Sequence, residues 1–477
     1  MLYPASVVAS VCSRWRIVAV DHGKLWSCIN LSCSSALLAC LLGRAAGHSL
    51  TVEWDVTEDR LQRNLKFLED NIHRIKHLTF SLDTAFLTHL FAVLGAHAPV
   101  LERCEIRGDN CHFVTLAGMQ GPLFGAHTPR LRHLEVDAIT SPWTPAFLNA
   151  NLTTLILSHQ RVFAADSVGI CQILEMSPHL KVLDLSVTCL DPDVDPNALH
   201  PVAREPRLQL DKLRTLKLHL PSSLICHIVS FIYAPSLCYV QLDMGEIESD
   251  PFEIVERLCR PNMLPPLPLI KLWHLSIGAS TQRFSTESPQ INIEGFAFGR
   301  RVLSLKWSRR RDSPRDRDAQ TVRSIVEILR LETDPSPHAF TLGLKSTFLA
   351  DNHPCDVLLS LPPVRYVEAT DAAAEILART VCAASSSPAV AAALREVEEI
   401  DLEKCELKAS TMLGFLAWFD ERCQDPGNKL RIATVANAIV RAKSEDAARS
   451  VKRRVQSLLE RSVELGWDHV RFKHPRH

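Results

Sequence analysis

A chain of 477 residues exceeds the size at which one compact core stops growing, about 250 to 300 residues, whereas a repeat architecture has no such limit. Hydrophobic residues make up 46% and charged residues 22% of the chain, which is typical of soluble globular proteins and excludes a disordered one. Acidic and basic residues nearly cancel to a formal charge of -1, so no overall field favours nucleic acid or an anionic membrane.

The 15 cysteines form no even, closely spaced framework, and several lie inside apolar patterns: Cys104, Cys171, Cys226 and Cys238. This usage predicts small buried thiols in a reducing compartment, the cytoplasm or the nucleus. The first residues lack the basic and apolar regions of a signal peptide, and no apolar run reaches the roughly 18 residues of a membrane span. We therefore expect an intracellular protein that is soluble and has no membrane partner.

The first predicted elements are a helix over residues 6–21 and a short apolar element over residues 24–31. The helix places its apolar residues on one face because they recur at steps of three and four: Val8, Val11, Cys12, Trp15, Val18 and Ala19. The second element carries Leu25 and Trp26. As core residues, Trp15 and Trp26 would each stabilise the fold by several kcal/mol, roughly. As interface anchors they would stay exposed until a partner covers them, and the sequence leaves both readings open.

The line Val8-Ala-Ser-Val11-Cys12-Ser-Arg14-Trp15-Arg16, followed by Leu25-Trp26, resembles the second half of an F-box domain. In that family a Val-Cys-(Arg/Lys)-x-Trp helix precedes a Leu-Trp helix. A further helix over residues 35–46 and a strand over residues 50–56 make the chain similar to the F-box and leucine-rich-repeat proteins of mushroom-forming fungi. The family's first helix, announced by Leu-Pro-x-Glu, would lie before Met1. Either the start codon is misassigned or the first helix has been lost, and binding of the family's partner depends on that helix.

The dominant pattern is a line of apolar residues at positions one, four and six, repeated along the chain. The clearest copies start at Leu131, Leu152, Leu180, Leu213 and Leu237, and weaker copies at Ile75, Leu101, Leu272 and Val397. Copies that follow one another directly start roughly 21 to 35 residues apart, overlapping the unit length of leucine-rich repeats. Each copy predicts one short strand, and a strand that cannot bury its own apolar face must stack on its neighbours.

Helical patterns separate these strands, which implies parallel strands and right-handed crossovers. Helices are predicted near residues 61–72, 86–94, 168–174, 224–232, 252–258, 322–329, 413–419 and 451–463, and two short helices, separated by a Ser-Ser-Ser-Pro break, within residues 372–393. Further strands are predicted near residues 340–344, 364–369, 430–435 and 467–472. The fold prediction is therefore α/β: a leucine-rich-repeat solenoid, an open horseshoe, over residues 35–435. A partial F-box-like helical segment at residues 1–34 precedes it, and a C-terminal helix and cap at residues 436–477 follow it.

Two insertions, at residues 191–206 and 308–318, are predicted to be loops. The first is rich in proline and acidic residues and predicts an exposed loop. The second mixes arginine with aspartate. It is either a solvated loop or a basic patch that serves nuclear localisation or contacts anions.

The sequence carries no motif that predicts catalysis. A phosphate-binding Gly-x-x-x-x-Gly-Lys loop, a Gly-x-Gly-x-x-Gly turn and a Gly-x-Ser-x-Gly elbow are all missing. Cys104, Cys111 and His112 lack a fourth zinc ligand. Several histidines near element ends are expected to be structural: His73, His77, His89 and His97. We predict no enzyme activity, no catalytic residue, no cofactor and no metal.

The resemblance implies a substrate-recognition adaptor of an SCF-type cullin-RING ubiquitin ligase, acting in the ubiquitin-like conjugation pathway. Its partners would be a Skp-type adaptor with the cullin complex, and a target protein, with no nucleic acid. The residues implied in adaptor binding are Val8, Val11, Cys12, Trp15, Leu25 and Trp26. Target-binding candidates lie between the apolar strand positions, since solenoids commonly bind on their strand surface: Arg132, His133, Glu135, Thr153, Lys181, Asp184, Arg214 and Lys217.

Two alternatives remain open. The first is a leucine-rich-repeat interaction scaffold without a ubiquitin role, in which residues 6–31 cap the solenoid. The second is an enzyme on a closed (β/α) barrel, against which more than eight repeat strands argue.

Overall fold

The computed structural model of the chain describes residues 10–56, 60–82, 86–108, 114–115, 123–126, 128–140, 151–162, 166–190, 208–246, 254, 274–280, 290–297, 300–308, 324–325, 340–345, 364–382, 388, 391, 394–395, 397–424, 430, 432–460, 464–468 and 470–473. The predicted loop at 191–206 lies outside these residues, as does the loop at 308–318 apart from Ser308. The predicted helices at 252–258 and 322–329 also lie outside them, apart from residues 254 and 324–325. The chain forms two compact units, Met1–Leu237 and Cys238–His477, which are described separately.

The described helices of the first unit are α1 Ser13–Asp21, α2 Ser35–Arg44, α3 Leu61–Asn71, α4 Leu87–Leu94, α5 Asp166–Glu175 and α6 Ser222–Phe231. Short 3-10 turns cover Gly23–Trp26, Ile72–Arg74 and Leu123–Ala126. The strands are β1 Cys28–Asn30, β2 Leu50–Val56, β3 Ile75–Leu82, β4 Arg103–Gly108, β5 Val114–Thr115, β6 His133–Asp137, β7 Ile139–Thr140, β8 Thr154–Val162, β9 Val182–Leu190, β10 Leu208–Gln209, β11 Thr215–His219 and β12 Ile232–Tyr233.

The main strands of the first unit pair in the order in which they occur along the chain. The order is β1, β2, β3, β4, β6, β8, β9 and β11, and each strand is parallel to the next. Two further parallel pairs, β5 with β7 and β10 with β12, lie outside this sheet. The predicted parallel arrangement is confirmed here.

The repeated apolar positions form the core of the first unit. Leu131, Leu134 and Val136 are all buried, and so are the corresponding residues of the copies starting at Leu152, Leu180 and Leu213. Successive side chains of a strand point to opposite faces, so the residues between the apolar positions lie on the other face of the sheet. Each clear copy of the line therefore forms a strand with one buried face, as predicted.

The same backbone turn leads into several copies. The first apolar residue donates its N–H to the carbonyl three residues before it, with N···O distances of 3.0 to 3.2 Å, at Leu101, Leu131, Leu180, Leu213, Leu237 and Val397. The next residue in the copy then accepts from the following repeat, as the Arg132 carbonyl does from the N–H groups of Thr153 and Thr154 at 2.7 and 2.9 Å. This ladder satisfies backbone groups where the strands begin.

The described helices of the second unit are α7 Asp371–Cys382, α8 Ala409–Gln424 and α9 Glu445–Glu460. Its strands are β13 Tyr239–Glu246, β14 His274–Ser280, β15 Gln290–Ala297, β16 Arg300–Ser308, β17 Phe340–Lys345, β18 Val364–Thr370, β19 Glu399–Glu403, β20 Glu406–Lys408, β21 Ile432–Ala436, β22 Ile439–Arg441, β23 Glu464–Asp468 and β24 Arg471–Lys473. The predicted terminal strand at 467–472 is thus two short strands.

The second unit contains one strand that breaks the predicted parallel pattern. The main sheet runs β13, β16, β15, β14, β17, β18, β19, β21 and β23. Strand β15 is antiparallel to both β14 and β16, and the other pairs are parallel. The prediction of parallel strands throughout is wrong here, because the apolar alternation around Ile291, Ile293 and Leu305 forms a hairpin without an intervening helix.

A second, smaller sheet of the C-terminal unit follows from a bend after the main strands. Lys404 and Asn437 adopt the left-handed conformation, with φ of 53° at each, directly after β19 and β21. The chain then continues into β20 and β22, which pair in parallel with each other and with β24. Cys405, which follows Lys404 at this bend, is buried. Helices α7 and α8 pack together, as do α8 and α9.

Three of the cysteines predicted to be buried are buried, and one is exposed. Cys104, Cys171 and Cys226 have little solvent contact, whereas Cys238 is exposed. Cys238 follows the apolar Leu237 at an intervening position of its repeat, and this explains the difference.

In the described part of the chain, no helix combines the length and the apolar character that crossing a lipid bilayer requires.

Candidate functional site

The polar face of the first unit's sheet carries the predicted target-binding residues in two rows. His133, Glu135, Asp184 and Lys217 lie on strands, on the face opposite the leucines. The register aligns Glu135, Ile156, Asp184 and Lys217 across β6, β8, β9 and β11. The other candidates immediately precede strands and take part in the backbone ladder. The carbonyls of Arg132, Thr153 and Lys181 accept hydrogen bonds, and the Arg214 N–H donates to the Lys181 carbonyl.

Ion pairs connect neighbouring repeats along the strand row. The Lys217 ammonium lies 3.1 Å from the Asp184 carboxylate on the adjacent strand. On β4, Glu105 is buried, with 8% of its side chain exposed, and Arg107 donates to it at 2.8 Å. Arg107 also reaches Glu135 on β6 at 3.2 Å, and Arg103 pairs with the other oxygen of Glu105. The face therefore presents a network of alternating charges on β4 and β6 and a separate ion pair on β9 and β11, with Ile156 of β8 between them.

The sequence reasoning missed the members of this network on β4: Arg103, Glu105 and Arg107. They occupy intervening positions of the weak copy that starts at Leu101, aligned with His133, Glu135 and Asp137 on β6. The alternation of apolar and polar residues that identifies His133 and Glu135 is also present in the weak copy, and it identifies Arg103, Glu105 and Arg107 in the same way.

His133 lies at the centre of the network. Its Nε2 is 3.6 Å from a carboxylate oxygen of Glu135, too far for a hydrogen bond, and has no hydrogen-bond partner among the described residues. Burial, and then the nearby Arg103 guanidinium, lower the pKa of the His133 imidazole. The lowered pKa favours the neutral ring, and the Nε2 atom is itself buried.

The same residues form a possible set of metal ligands. Donor atoms of Glu105, His133 and Glu135 lie within 4.8 Å of one another. Both carboxylates, however, already form ion pairs with arginine. The Arg107 guanidinium contacts both Glu105 and Glu135. A divalent cation would have to displace these arginines, so the geometry fits a set of ion pairs better than a metal centre.

The corresponding face of the second unit is acidic. The acidic residues occupy intervening positions of β18 and β19: Glu368, Glu399, Asp401 and Glu403. The Tyr366 hydroxyl donates to Asp401 Oδ2 at 3.4 Å, and Asp401 Oδ1 has no hydrogen-bond partner among the described residues. Burial, and then the Glu368 carboxylate, raise the pKa of Asp401. This face would attract basic segments of a partner.

The two tryptophans of the N-terminal segment differ in their exposure to solvent. Trp15, on α1, leaves 55% of its surface exposed, whereas Trp26 is 4% exposed. The Trp26 indole N–H donates to the Ala19 carbonyl at 2.6 Å, and the Arg44 guanidinium lies 4.2 Å from the centre of its ring. Trp26 therefore holds α1 and α2 against the turn Gly23–Trp26, and Trp15 is free to meet a partner.

The other residues implied in adaptor binding are exposed where the structure describes them. Val11 and Leu25 are 67% and 40% exposed, and Cys12 is exposed while its sulfur accepts the Trp15 N–H at the start of α1. Val8 lies outside the described residues. Ile17 and Val18 are also exposed. The predicted apolar helical face is thus mostly uncovered, and we call Val11, Trp15, Ile17, Val18 and Leu25 the N-terminal apolar residues.

The remaining candidates for chemistry do not assemble into a described site. Cys104 lies in the core on β4, and burial raises the pKa of its thiol. Its proposed companions, Cys111 and His112, lie outside the described residues. His73, His89 and His97 are exposed, and burial, followed by Lys76, lowers the pKa of the partly buried His77.

Comparison with protein-family models and with curated proteins found no match for this chain.

Proposed function

We propose that this chain is a non-catalytic interaction protein in which a leucine-rich-repeat solenoid holds a target protein on its polar strand face. The observation that carries the proposal is the row of side chains that the strand register aligns across successive repeats: Glu135, Ile156, Asp184 and Lys217. Pairing in chain order supports the solenoid, because each repeat then covers the apolar face of the next. Partly exposed charged residues that form ion pairs suit recognition of a complementary protein surface.

We further propose that the N-terminal apolar residues dock on a Skp-type adaptor, which makes the chain a substrate-recognition adaptor of an SCF-type cullin-RING ubiquitin ligase. The resemblance to the F-box and the exposure of Val11, Trp15 and Leu25 support this role. Apolar side chains grouped at a surface are a common sign of a protein interface. The chain would act as a tether that raises the effective concentration of the target near the transferred ubiquitin.

The adaptor role is tested by binding of the full chain to a purified Skp-type adaptor. We expect the wild type to bind and the double variant Val11→Asp with Trp15→Asp to lose binding, because charges would be buried at the interface. Leu459→Asp is the matched control, since Leu459 is an exposed apolar residue on α9. Failure of the wild type to bind any Skp-type adaptor would reject the ubiquitin role and favour the scaffold alternative.

The strand face is tested separately by charge reversal and proximity labelling. Arg107→Glu together with Lys217→Glu disrupts the network on the polar face, whereas Lys66→Glu changes an exposed lysine on α3. We expect the double variant to lose specific labelled partners that the Lys66 variant retains. Identical labelling by all three proteins would show that this face does not hold the target.

A further inference from the structure

The C-terminal unit contains a cationic pocket that neither proposed interface uses. Its cavity of about 560 Å³ falls within the roughly 300 to 1,000 Å³ typical of small-molecule sites. The described residues that line it come from the ends of β20, β22 and β24, from the start of α8 and from the segment that starts α9. They are Lys408, Ala409, Ser410, Arg441, Ala442, Lys443, Ala447 and Lys473.

The small sheet aligns three of these cations in one row. Lys408 is in register with Arg441, and Arg441 is in register with Lys473. Neighbouring strands lie about 4.8 Å apart, and like charges at opposed positions destabilise a sheet. Lys443 adds a fourth cation to the same cavity. Such a concentration of positive charge is unfavourable unless anions compensate for it.

The described carboxylates neutralise only part of this charge. Glu406 binds Arg441 through both of its oxygens, with Arg441 Nη2 2.6 Å from Oε2, and this hydrogen bonding lowers the pKa of Glu406. Across the described residues, no carboxylate lies within 4.0 Å of the ammonium groups of Lys408, Lys443 or Lys473. These three lysines therefore remain available to a ligand.

The acidic residues at the start of α9 do not cancel the charge of the pocket. Glu445 and Asp446 are exposed, and each pairs with Arg449 on their own helix, at 3.8 and 3.2 Å. The Ser444 hydroxyl accepts the Ala447 N–H at 3.2 Å, which caps the helix beside the pocket. The positive end of the helix dipole adds to the lysines.

The pocket combines this charge with an apolar floor. Ala409 and Ala442 are buried, and Ala447 and the aliphatic stems of the lysines complete the lining. A ligand that fits would carry an anionic group for the lysines and an apolar body for the alanines. A phosphate monoester has about -1.5 to -2 charges at pH 7 and three acceptor oxygens, which matches three ammonium groups better than a carboxylate does.

We propose that this pocket binds a small organic phosphate, a phosphate monoester attached to an apolar or aromatic body. Phenyl phosphate is the probe, and calorimetric titration of the full chain at low ionic strength measures its affinity. We expect a millimolar or tighter dissociation constant that weakens as salt is added, because partly exposed charges are screened. Benzoate should bind more weakly, because its carboxylate has less charge and fewer acceptor oxygens than a phosphate. Phenol, which lacks the anionic group, and inorganic phosphate, which lacks the aromatic ring, should bind more weakly still.

Variants localise the binding. Lys408→Met and Lys473→Met keep the stem and remove the charge, and each should weaken phenyl phosphate binding about tenfold, the loss expected for one charge-assisted contact. Lys66→Met, the control on α3, should bind like the wild type. The variant that combines Lys408→Met with Lys473→Met should bind more weakly still. The proposal is overturned by undetectable binding of phenyl phosphate to the wild type at about 10 mM, by unchanged affinity in the combined variant, or by equal binding of benzoate.

The source of the phosphate is tested in the same experiment. Vesicles of phosphatidylcholine with phosphatidic acid present a lipid phosphate at a surface. Binding of phenyl phosphate without binding to the vesicles supports a free ligand, whereas binding to the vesicles alone rejects the small-molecule site. Neither outcome depends on adaptor or target binding, so this proposal fails or stands apart from the proposed function.

Discussion

Replacing Trp26 by alanine should destabilise the N-terminal part of the first unit far more than replacing Trp15. A buried tryptophan covers up to about 250 Å². At about 25 cal/mol per Å² this area gives an upper bound of about 6 kcal/mol. Measured losses for such truncations are about 3 to 5 kcal/mol. Trp26, which is 4% exposed and hydrogen-bonded to Ala19, belongs in that range.

Trp15 provides the internal comparison. It leaves 55% of its surface in solvent, so the same area calculation gives less than half the loss, about 1 to 2 kcal/mol. Within α1 as the structure describes it, Ala19 is the buried residue, so the helix depends on Trp26 for its attachment. The Trp26 variant should therefore release α1 locally before the unit unfolds.

Two measurements check this difference. Urea denaturation followed by circular dichroism reports the free energy of unfolding, and amide hydrogen exchange of residues 13–21 reports local opening. We expect fast exchange of this segment in the Trp26→Ala variant and near wild-type exchange in Trp15→Ala. Equal losses of protection in the two variants would refute the assignment of Trp26 to the core and Trp15 to the surface.

Three further predictions concern charge and backbone. Lys404→Gly should stabilise the chain by about 1 kcal/mol relative to Lys404→Ala in urea denaturation, because φ of 53° strains a residue that carries a Cβ; equal midpoints would contradict this. Asp401→Asn should raise stability at pH 7.5. Since the folded-state pKa of Asp401 is raised, the contribution of Asp401 to the free energy of unfolding is favourable below the unfolded pKa and is lost as pH rises through the folded pKa. The gain in stability from Asp401→Asn should therefore be smaller at pH 5 than at pH 7.5. A larger gain at pH 5 would contradict the raised pKa. Glu105→Gln should lower the free energy of unfolding by about 1 to 3 kcal/mol, because the Glu105 carboxylate is buried with its arginine partners. Glu102→Gln, in the exposed pair with Lys76, should lower it by less than about 0.5 kcal/mol. Similar losses in the two variants would show that burial of Glu105 is unimportant.

Much of the secondary structure was predictable because it depends on local periodicity. A strand with alternating burial needs apolar side chains two residues apart, and the copies starting at Leu131 and Leu180 meet that condition within six residues. Helix ends were equally local, as the positive φ of 78° at Gly47 after α2 illustrates. The strand β15 was missed because its apolar alternation lies outside the repeated line, and its antiparallel direction depends on pairing with β14 and β16.

The polar sites were predictable only as positions on a face. Alternation assigned His133 and Glu135 to the side opposite the leucines, but it could not show that Arg107 reaches both Glu105 and Glu135. Those contacts join residues of different repeats, and the strand register sets their distance. The cationic pocket has the same origin, since Lys408, Arg441 and Lys473 are each more than thirty residues from the next and meet through pairing of short strands.

The sequence alone determined where strands and helices form and which side chains are apolar on one face, because these depend on spacing along a short stretch. Only the tertiary structure decided which of two similar tryptophans is covered, which charges pair and which remain unneutralised. A side chain's exposure and its charged neighbours depend on segments distant in the chain, so packing and strand register set them.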